Sequence, residues 1–302
     1  MKEMLVCLDV GGTEIKAAVV AARSGCCGQL RYFPARAEES AEVLLEHLAG
    51  IVREQVPAGM DVTDLCGVRM AFPGPFDYEE GICLLRGLDK YDKLYGVNLR
   101  RELSGLLGIA WERILFANDA SAFALGEMGF GEARGAARAL FLCIGTGCGS
   151  AFGMDGYLAP PGTEGMPKDG YIYHVPFLDG CLDDYLSRRG LMALAREHLG
   201  TALDGKALAE RVRQGDCLAE QCFLAFGQRI RDGAVPFLDS FRPEVLCFGG
   251  QIMGSAPLFL PPVEEACRER GIRLSVTQDT SLRTLQGLTR VIYGGEIHGK
   301  TD

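Results

Sequence analysis

The 302-residue chain has no apolar run approaching the roughly eighteen residues that a membrane-spanning helix requires. It has no surplus of basic charge either. Its 31 Lys and Arg stand against 40 Asp and Glu, and the net charge of -9 disfavours a nucleic-acid partner, because affinity for a phosphate backbone rests on accumulated cations. There is no Cys-x-x-Cys pair, and the adjacent Cys26 and Cys27 have the wrong spacing for a tetrahedral zinc site. No low-complexity tract occurs. The opening Met1-Lys2-Glu3-Met4 leads into an apolar run too short for a signal peptide, so the expectation is a cytoplasmic protein with no membrane partner. Twelve cysteines are present, but Cys7, Cys143 and Cys247 sit inside apolar segments, where a free thiol behaves as a small hydrophobe. Disulfides are not expected in that compartment.

With 48% hydrophobic residues over 302 positions, the chain can bury two cores, and its length suits two domains. Leu5 to Asp9, Gly11-Gly12-Thr13 and Glu14 to Val20 read as strand, glycine turn, strand. Bare backbone N–H groups at such a turn can approach an anion, and Asp9 can hold a magnesium ion through water. A Walker loop or a dinucleotide fingerprint needs a helix after its glycines, whereas here the residues after the turn keep β character. An ordinary hairpin fits the segment equally well. What favours a phosphate clamp is a second copy of the design: Leu140 to Ile144, then Gly145-Thr146-Gly147-Cys148-Gly149-Ser150, then Ala151 to Met154.

The remaining pattern predicts an α/β chain. A third strand is expected over Gln29 to Ala35, a helix capped by Ser40, a strand from Leu65 to Phe72, and loop over 76–96. A helix over Leu99 to Leu107, a short strand from Arg113 to Ala117 and a helix from Ala120 to Gly126 follow. After the second hairpin, 155–180 is rich in Gly, Pro and Asp and reads as loop. Helices are expected over Leu182 to His198, Ala207 to Gln214 and Leu218 to Phe241, then a strand from Glu244 to Phe248 ending at Gly249-Gly250. A helix from Leu260 to Arg270, a strand from Arg273 to Val276 and a closing helix from Leu282 to Tyr293 finish the chain. The expected domains are 1–119 plus about 283–302, and 120–282.

Asp119, where a strand gives way to a helix, is the first candidate for general base; the lesser alternative is a cap for that helix. Asp9 with Gly11, Gly12 and Thr13, the Asn118-Asp119-Ala120 junction with Gly126-Glu127, the Gly145-Thr146-Gly147 corner and Gly249-Gly250 follow one another in an order that resembles the ROK family of sugar kinases, which belong to the actin/hexokinase/Hsp70 superfamily. The resemblance spans nearly the whole chain. It implies a two-lobed actin-like ATPase (ribonuclease H-like) fold, with a mixed sheet in each lobe and an active-site cleft between them. It also implies an ATP- and Mg2+-dependent kinase acting on a hydroxyl of a hexose or related polyol. On that resemblance Asp9, Gly11, Gly12, Thr13 and Lys16 form the first phosphate and magnesium site. Gly145, Thr146 and Gly147 form the second, Gly249 and Gly250 meet the adenosine, and Asp119 is the base. A homodimer is left open.

The departures concern the sugar loop. Family kinases carry Glu-x-Gly-His, then a cysteine-rich zinc loop and a Leu-Glu pair. This chain has Glu164-Gly165-Met166, then His174, then Gly180-Cys181-Leu182-Asp183. One surviving cysteine leaves too few ligands, so no structural zinc is expected. The Asn and Trp of the family pattern are not recognisable around Leu88 to Tyr95. Asn118, Glu164, His174 and Asp183 are the candidate substrate contacts; a packed or solvated His174 is an equal alternative. The rival reading is a nucleotide- or sugar-binding sensor that has lost catalysis. A repressor of the same family is disfavoured, since the chain opens on the first phosphate strand.

Overall fold

The computed structural model describes residues 3–87 and 90–291. The expected end of the closing helix near Tyr293, the tail of the first domain to 302, and Leu88 lie outside them. The chain divides into two compact units: one runs to Gly131 and resumes at Ser281, and the other runs from Glu132 to Thr280.

Unit 1 contains β1 (Met4–Val10), β2 (Glu14–Ala21), β3 (Arg31–Pro34), α1 (Ala41–Gln55), β4 (Gly67–Ala71), the short β5 (Phe76–Asp77) and β6 (Ile82–Cys83), α2 (Leu99–Leu107), β7 (Ile114–Ala117) and α3 (Asp119–Phe130). Its main sheet has the order β3-β2-β1-β4-β7, with β1, β2 and β3 antiparallel and β1, β4 and β7 parallel. Alternation along β1 turns Val6, Leu8 and Val10 toward one core, where they meet Leu44, Leu48 and Val52 of α1 and Leu99 and Leu103 of α2. Ser40 caps α1 by accepting from Val43 N.

Unit 2 contains β8 (Arg138–Ile144), β9 (Cys148–Met154), β10 (Tyr157–Leu158), β11 (Pro176–Phe177), β12 (Gly180–Cys181), α4 (Leu182–Tyr185), α5 (Arg188–Leu199), α6 (Gly205–Arg213), α7 (Cys217–Phe241), β13 (Val245–Gly249), α8 (Ala256–Phe259), α9 (Pro261–Glu269) and β14 (Arg273–Val276). Its main sheet runs β10-β9-β8-β13-β14, antiparallel among β8 to β10 and parallel from β8 through β13 to β14. The two sheets therefore share one topology. Leu140, Leu142, Phe152, Phe223, Phe226 and Phe248 are all buried in the second core. A fully buried side chain of this kind contributes about 1.5–3 kcal/mol through desolvation, so each unit has a core of its own.

The structure differs from the sequence pattern at two places that matter for the site. The helix expected over Leu182 to His198 is two helices, because Ser187, fully buried, accepts from Gly190 N at 3.4 Å and starts α5 afresh. The junction expected at 119/120 falls after Gly131, because α3 packs on α10 (Thr280–Leu288) within unit 1. That packing needs glycine: a β-carbon at Gly287 would lie 1.8 Å from the Ala122 carbonyl oxygen, and one at Gly126 would lie 2.0 Å from that of Arg283. Beside this crossing the buried Glu127 carboxylate pairs with Arg283, Oε1 to Nε at 3.1 Å.

Candidate active site

In unit 1 the first glycine turn is held from two sides. Gly11 N donates to the Glu14 carbonyl at 3.0 Å, and a β-carbon at Gly11 would lie 2.8 Å from that same oxygen, so the turn is tight enough to require glycine. Tyr91, whose ring is buried against Phe72, donates its hydroxyl to the Gly11 carbonyl at 2.8 Å. Burial raises the Tyr91 pKa and keeps that hydroxyl protonated as a donor. The Lys90 side chain passes Gly12, within 3.3 Å of where a β-carbon would stand. These braces come from a segment that reads as loop in the sequence, and a bulky aromatic amid turn residues was the only signal for them. Asp9 is opposite Lys16 in the β1–β2 register, and Lys16 Nζ donates to Ser281 Oγ at 2.7 Å. Thr13 is exposed at the turn.

At the start of α3 the capping bonds come mainly from the residue before Asp119. Asn118 is the cap: its Oδ1 accepts from Ala120 N at 3.0 Å and Ser121 N at 3.2 Å, and its Nδ2 donates to Tyr78 Oη at 3.3 Å. Asp119 is the first helical residue, with Oδ1 accepting from Ala120 N at 2.9 Å. Its side chain is open to solvent on one face, yet surrounding protein strips enough bulk water to raise its pKa above the ordinary aspartate value. The Ala120 amide, the Lys90 charge and the Asn118 side chain oppose that rise.

In unit 2 the second corner closes over a shorter span, with Gly145 N donating to the Gly147 carbonyl at 2.9 Å. Gly145 lines a cavity of about 630 Å³ whose walls include Ile252, Leu258 and Val212, with Arg188, Asp204 and Lys206 also on its lining. A β-carbon at Gly145 would meet nothing within 4 Å. Gly249 ends β13, and Gly250, with φ +104°, donates its N–H to Thr280 Oγ1 at 2.8 Å. A β-carbon at Gly250 would lie 2.1 Å from the Ile144 carbonyl oxygen, at the strand end that feeds the second corner. Gly250 thus leads straight into Gln251 and Ile252 on the cavity wall. Arg188, Lys206 and the 251–258 segment are cavity residues the sequence did not single out, because they come from separated elements.

Asp183 was expected to face substrate, but its two oxygens are engaged within unit 2. Oδ1 accepts from Cys148 N at 2.6 Å, just after the second corner, and Oδ2 pairs with Arg189 at 2.5 Å. Burial of the Cys148 thiol, with a smaller part from the Asp183 charge, pushes its pKa up to about 12. Asp183→Ala is expected to cost about 1.5 kcal/mol, the low end for a bond to a charged group, seen as faster amide exchange at Cys148 than in the parent. Unchanged exchange there would mean the brace is not a brace. Glu164 is exposed in a loop anchored at Gly165, whose carbonyl accepts from Ser240 Oγ at 3.1 Å. His174 is half-exposed, with Nδ1 3.6 Å from Asp169 and its ring edge-on to Tyr173. Among the described residues no group of three or more His, Cys, Asp or Glu could hold a metal ion, and no helix is long and apolar enough to cross a membrane.

The sequence model of the ROK family matches residues 5–284. The chain belongs to the ROK family. Among its ROK relatives, a protein of Thermotoga maritima named glucokinase is 26% identical over 87% of this chain and 87% of its own length. The Escherichia coli transcriptional repressor Mlc is 22% identical over 77% of this chain, which spans 63% of that protein. A crystal structure described as a ROK family glucokinase from Streptomyces griseus in complex with glucose and AMPPNP superposes with a TM-score of 0.75 at 20% identity, covering 97% of this chain and 100% of that one. The fold is therefore that of the ROK sugar kinases, and the family holds both enzymes and regulators.

Proposed function

We propose that this ROK protein transfers the γ-phosphoryl group of Mg-ATP to a hydroxyl of a hexose or related polyol, with Asp119 as the general base. The observation that carries the reading is the division of labour at the start of α3: Asn118 caps Ala120 N and Ser121 N, so the solvent-facing Asp119, which shares only Ala120 N through Oδ1, keeps Oδ2 for a substrate proton. In this reading Asp119 accepts the hydroxyl proton as that oxygen forms its bond to the γ-phosphorus, and the bond from the γ-phosphorus to the β-phosphate bridging oxygen breaks to release ADP. The nucleoside fits the 630 Å³ cavity beside Gly145, where a β-carbon would project into open space. The bare corners of Gly11 to Thr13 and Gly145 to Gly147 are suited to phosphate oxygens, with Gly249 and Gly250 supporting the nucleoside side. Magnesium, which binds through one or two carboxylates together with phosphates and waters, fits Asp9 and supplies charge neutralisation.

Asn118 retains an Nδ2 proton beyond the one aimed at Tyr78, and Glu164 and His174 are exposed, so these three remain the proposed substrate contacts. Asp183 has its two oxygens on Cys148 and Arg189 and is proposed to support the second corner instead.

Because the Asp119 pKa is raised by desolvation, the protonated and inactive form persists to higher pH than for an ordinary aspartate. The acidic limb of kcat/KM is expected above the usual range of about 4. Lys90→Met removes a charge that lowers this pKa, so it is expected to move the limb further up; a limb unmoved by Lys90→Met would contradict the pairing. The function itself is tested by ADP release over hexoses, N-acetylhexosamines and polyols with Mg-ATP. Turnover on one class is expected. Binding without turnover on every compound would favour the sensor, to which the likeness to Mlc lends support.

A further inference from the structure

Two consecutive arginines open α5, and the fold treats them differently. Arg189 is neutralised by Asp183, the carboxylate that also accepts from Cys148 N behind the second glycine corner. Arg188 pairs with no carboxylate among the described residues, and it lines the cavity that Gly145 shares. Its backbone is fixed there: Arg188 N donates to the Gly145 carbonyl at 2.8 Å, and the buried Ser187 hydroxyl caps the helix immediately before it. Of the other charges on this wall two are already committed, and Lys206 of α6 is a second cation without the tie to the Gly145 corner that fixes Arg188. Arg213 is paired with Glu210, and Asp204 accepts from Ala207 N at 2.8 Å as the cap of α6.

We infer that Arg188 is a phosphate-binding residue, a cation that engages the phosphate chain of the nucleotide as it leaves the cavity at the Gly145 corner. The inference rests on the nucleotide reading above and goes beyond it, since that reading needs only backbone N–H groups at the corner. A guanidinium suits the role because its planar fork donates in parallel to two phosphate oxygens and stays charged at any working pH. The Ser187 cap and the bond to Gly145 tie the arginine to the corner itself, so the cation is placed before the nucleotide arrives. Asp183 contributes by occupying Arg189 and leaving Arg188 available at the corner.

The test is calorimetric binding of the full-length protein to a non-hydrolysable ATP analogue with magnesium, to ADP and to adenosine, in the parent, Arg188→Ala and Arg188→Lys. The analogue is expected to bind Arg188→Ala about ten-fold or more weakly, as for loss of a charge-assisted contact, while adenosine affinity stays within about two-fold. Arg188→Lys recovers part of the loss because it restores charge without the fork. Equal losses for adenosine and the analogue would show a merely structural role, and unchanged affinity for the analogue would show no role; either overturns the inference. A parent protein that binds none of the three ligands overturns the nucleotide reading, and the inference with it.

Discussion

Asp119→Asn is expected to lower kcat by about 10²- to 10⁴-fold, the usual worth of a positioned general base, while leaving the affinity for a non-hydrolysable ATP analogue close to that of the parent. Asparagine keeps the shape, and the α3 cap is unaffected because Asn118 supplies it. The split between kcat and nucleotide affinity is the informative part. A structural aspartate would be missed in thermal melts and in both kinetic terms together. A variant that keeps most of its phosphorylation rate on the right sugar would remove Asp119 from the chemistry.

The largest expected effect on stability is in unit 1, at the pair between Glu127 and Arg283. The Glu127 side chain is 2% exposed and that of Arg283 is 26% exposed. Arg283→Met leaves a buried carboxylate without this partner, and breaking such a pair from one side costs about 3–5 kcal/mol; the partial exposure of Arg283 favours the low end. Denaturant unfolding is expected to show that loss. Adding Glu127→Gln to Arg283→Met is expected to recover a measurable part, because the cost arises more from the desolvated carboxylate that has lost the guanidinium than from the pair's own attraction. If the double variant is no more stable than Arg283→Met, the loss comes from packing. The same crossing carries Gly126 and Gly287 against carbonyl oxygens, so α3 and the Asp119 at its start are held by backbone contact as well as by charge.

The duplicated plan was legible because it is local. Each glycine corner interrupts an apolar run within one hairpin, and the structure has both corners at the ends of first strands in sheets of equal topology. Helix α2 was legible to the residue, since Asn98 caps it and Gly108, at φ +64°, ends it. The break between α4 and α5 was not, because the apolar spacing runs on through Leu186 and Leu191 and only the burial of the Ser187 hydroxyl shows that a new helix begins. Asp183 reads from sequence as a free acid; its two partners, Cys148 and Arg189, include one that is distant in the chain. The cavity wall was illegible for a similar reason. Val212, Ile252 and Leu258 have unremarkable neighbours, and only the folding of α6 beside the 251–258 segment makes them one surface. Tyr91 illustrates the remaining gap: a residue in a loop, fully buried, whose hydroxyl reaches a glycine carbonyl eighty positions earlier.

The proposed chemistry sets phosphates on bare glycine corners and an acceptor alcohol at Asp119. A crystal structure with a non-hydrolysable ATP analogue, magnesium and a sugar that supports turnover tests it most directly. The adenine is expected in the cavity beside Ile252 and Leu258, phosphate oxygens on the Gly145 to Gly147 amides, and one sugar hydroxyl within hydrogen-bond reach of the Asp119 carboxylate. A nucleotide bound away from those amides, or a sugar whose hydroxyls are all remote from Asp119, would contradict it.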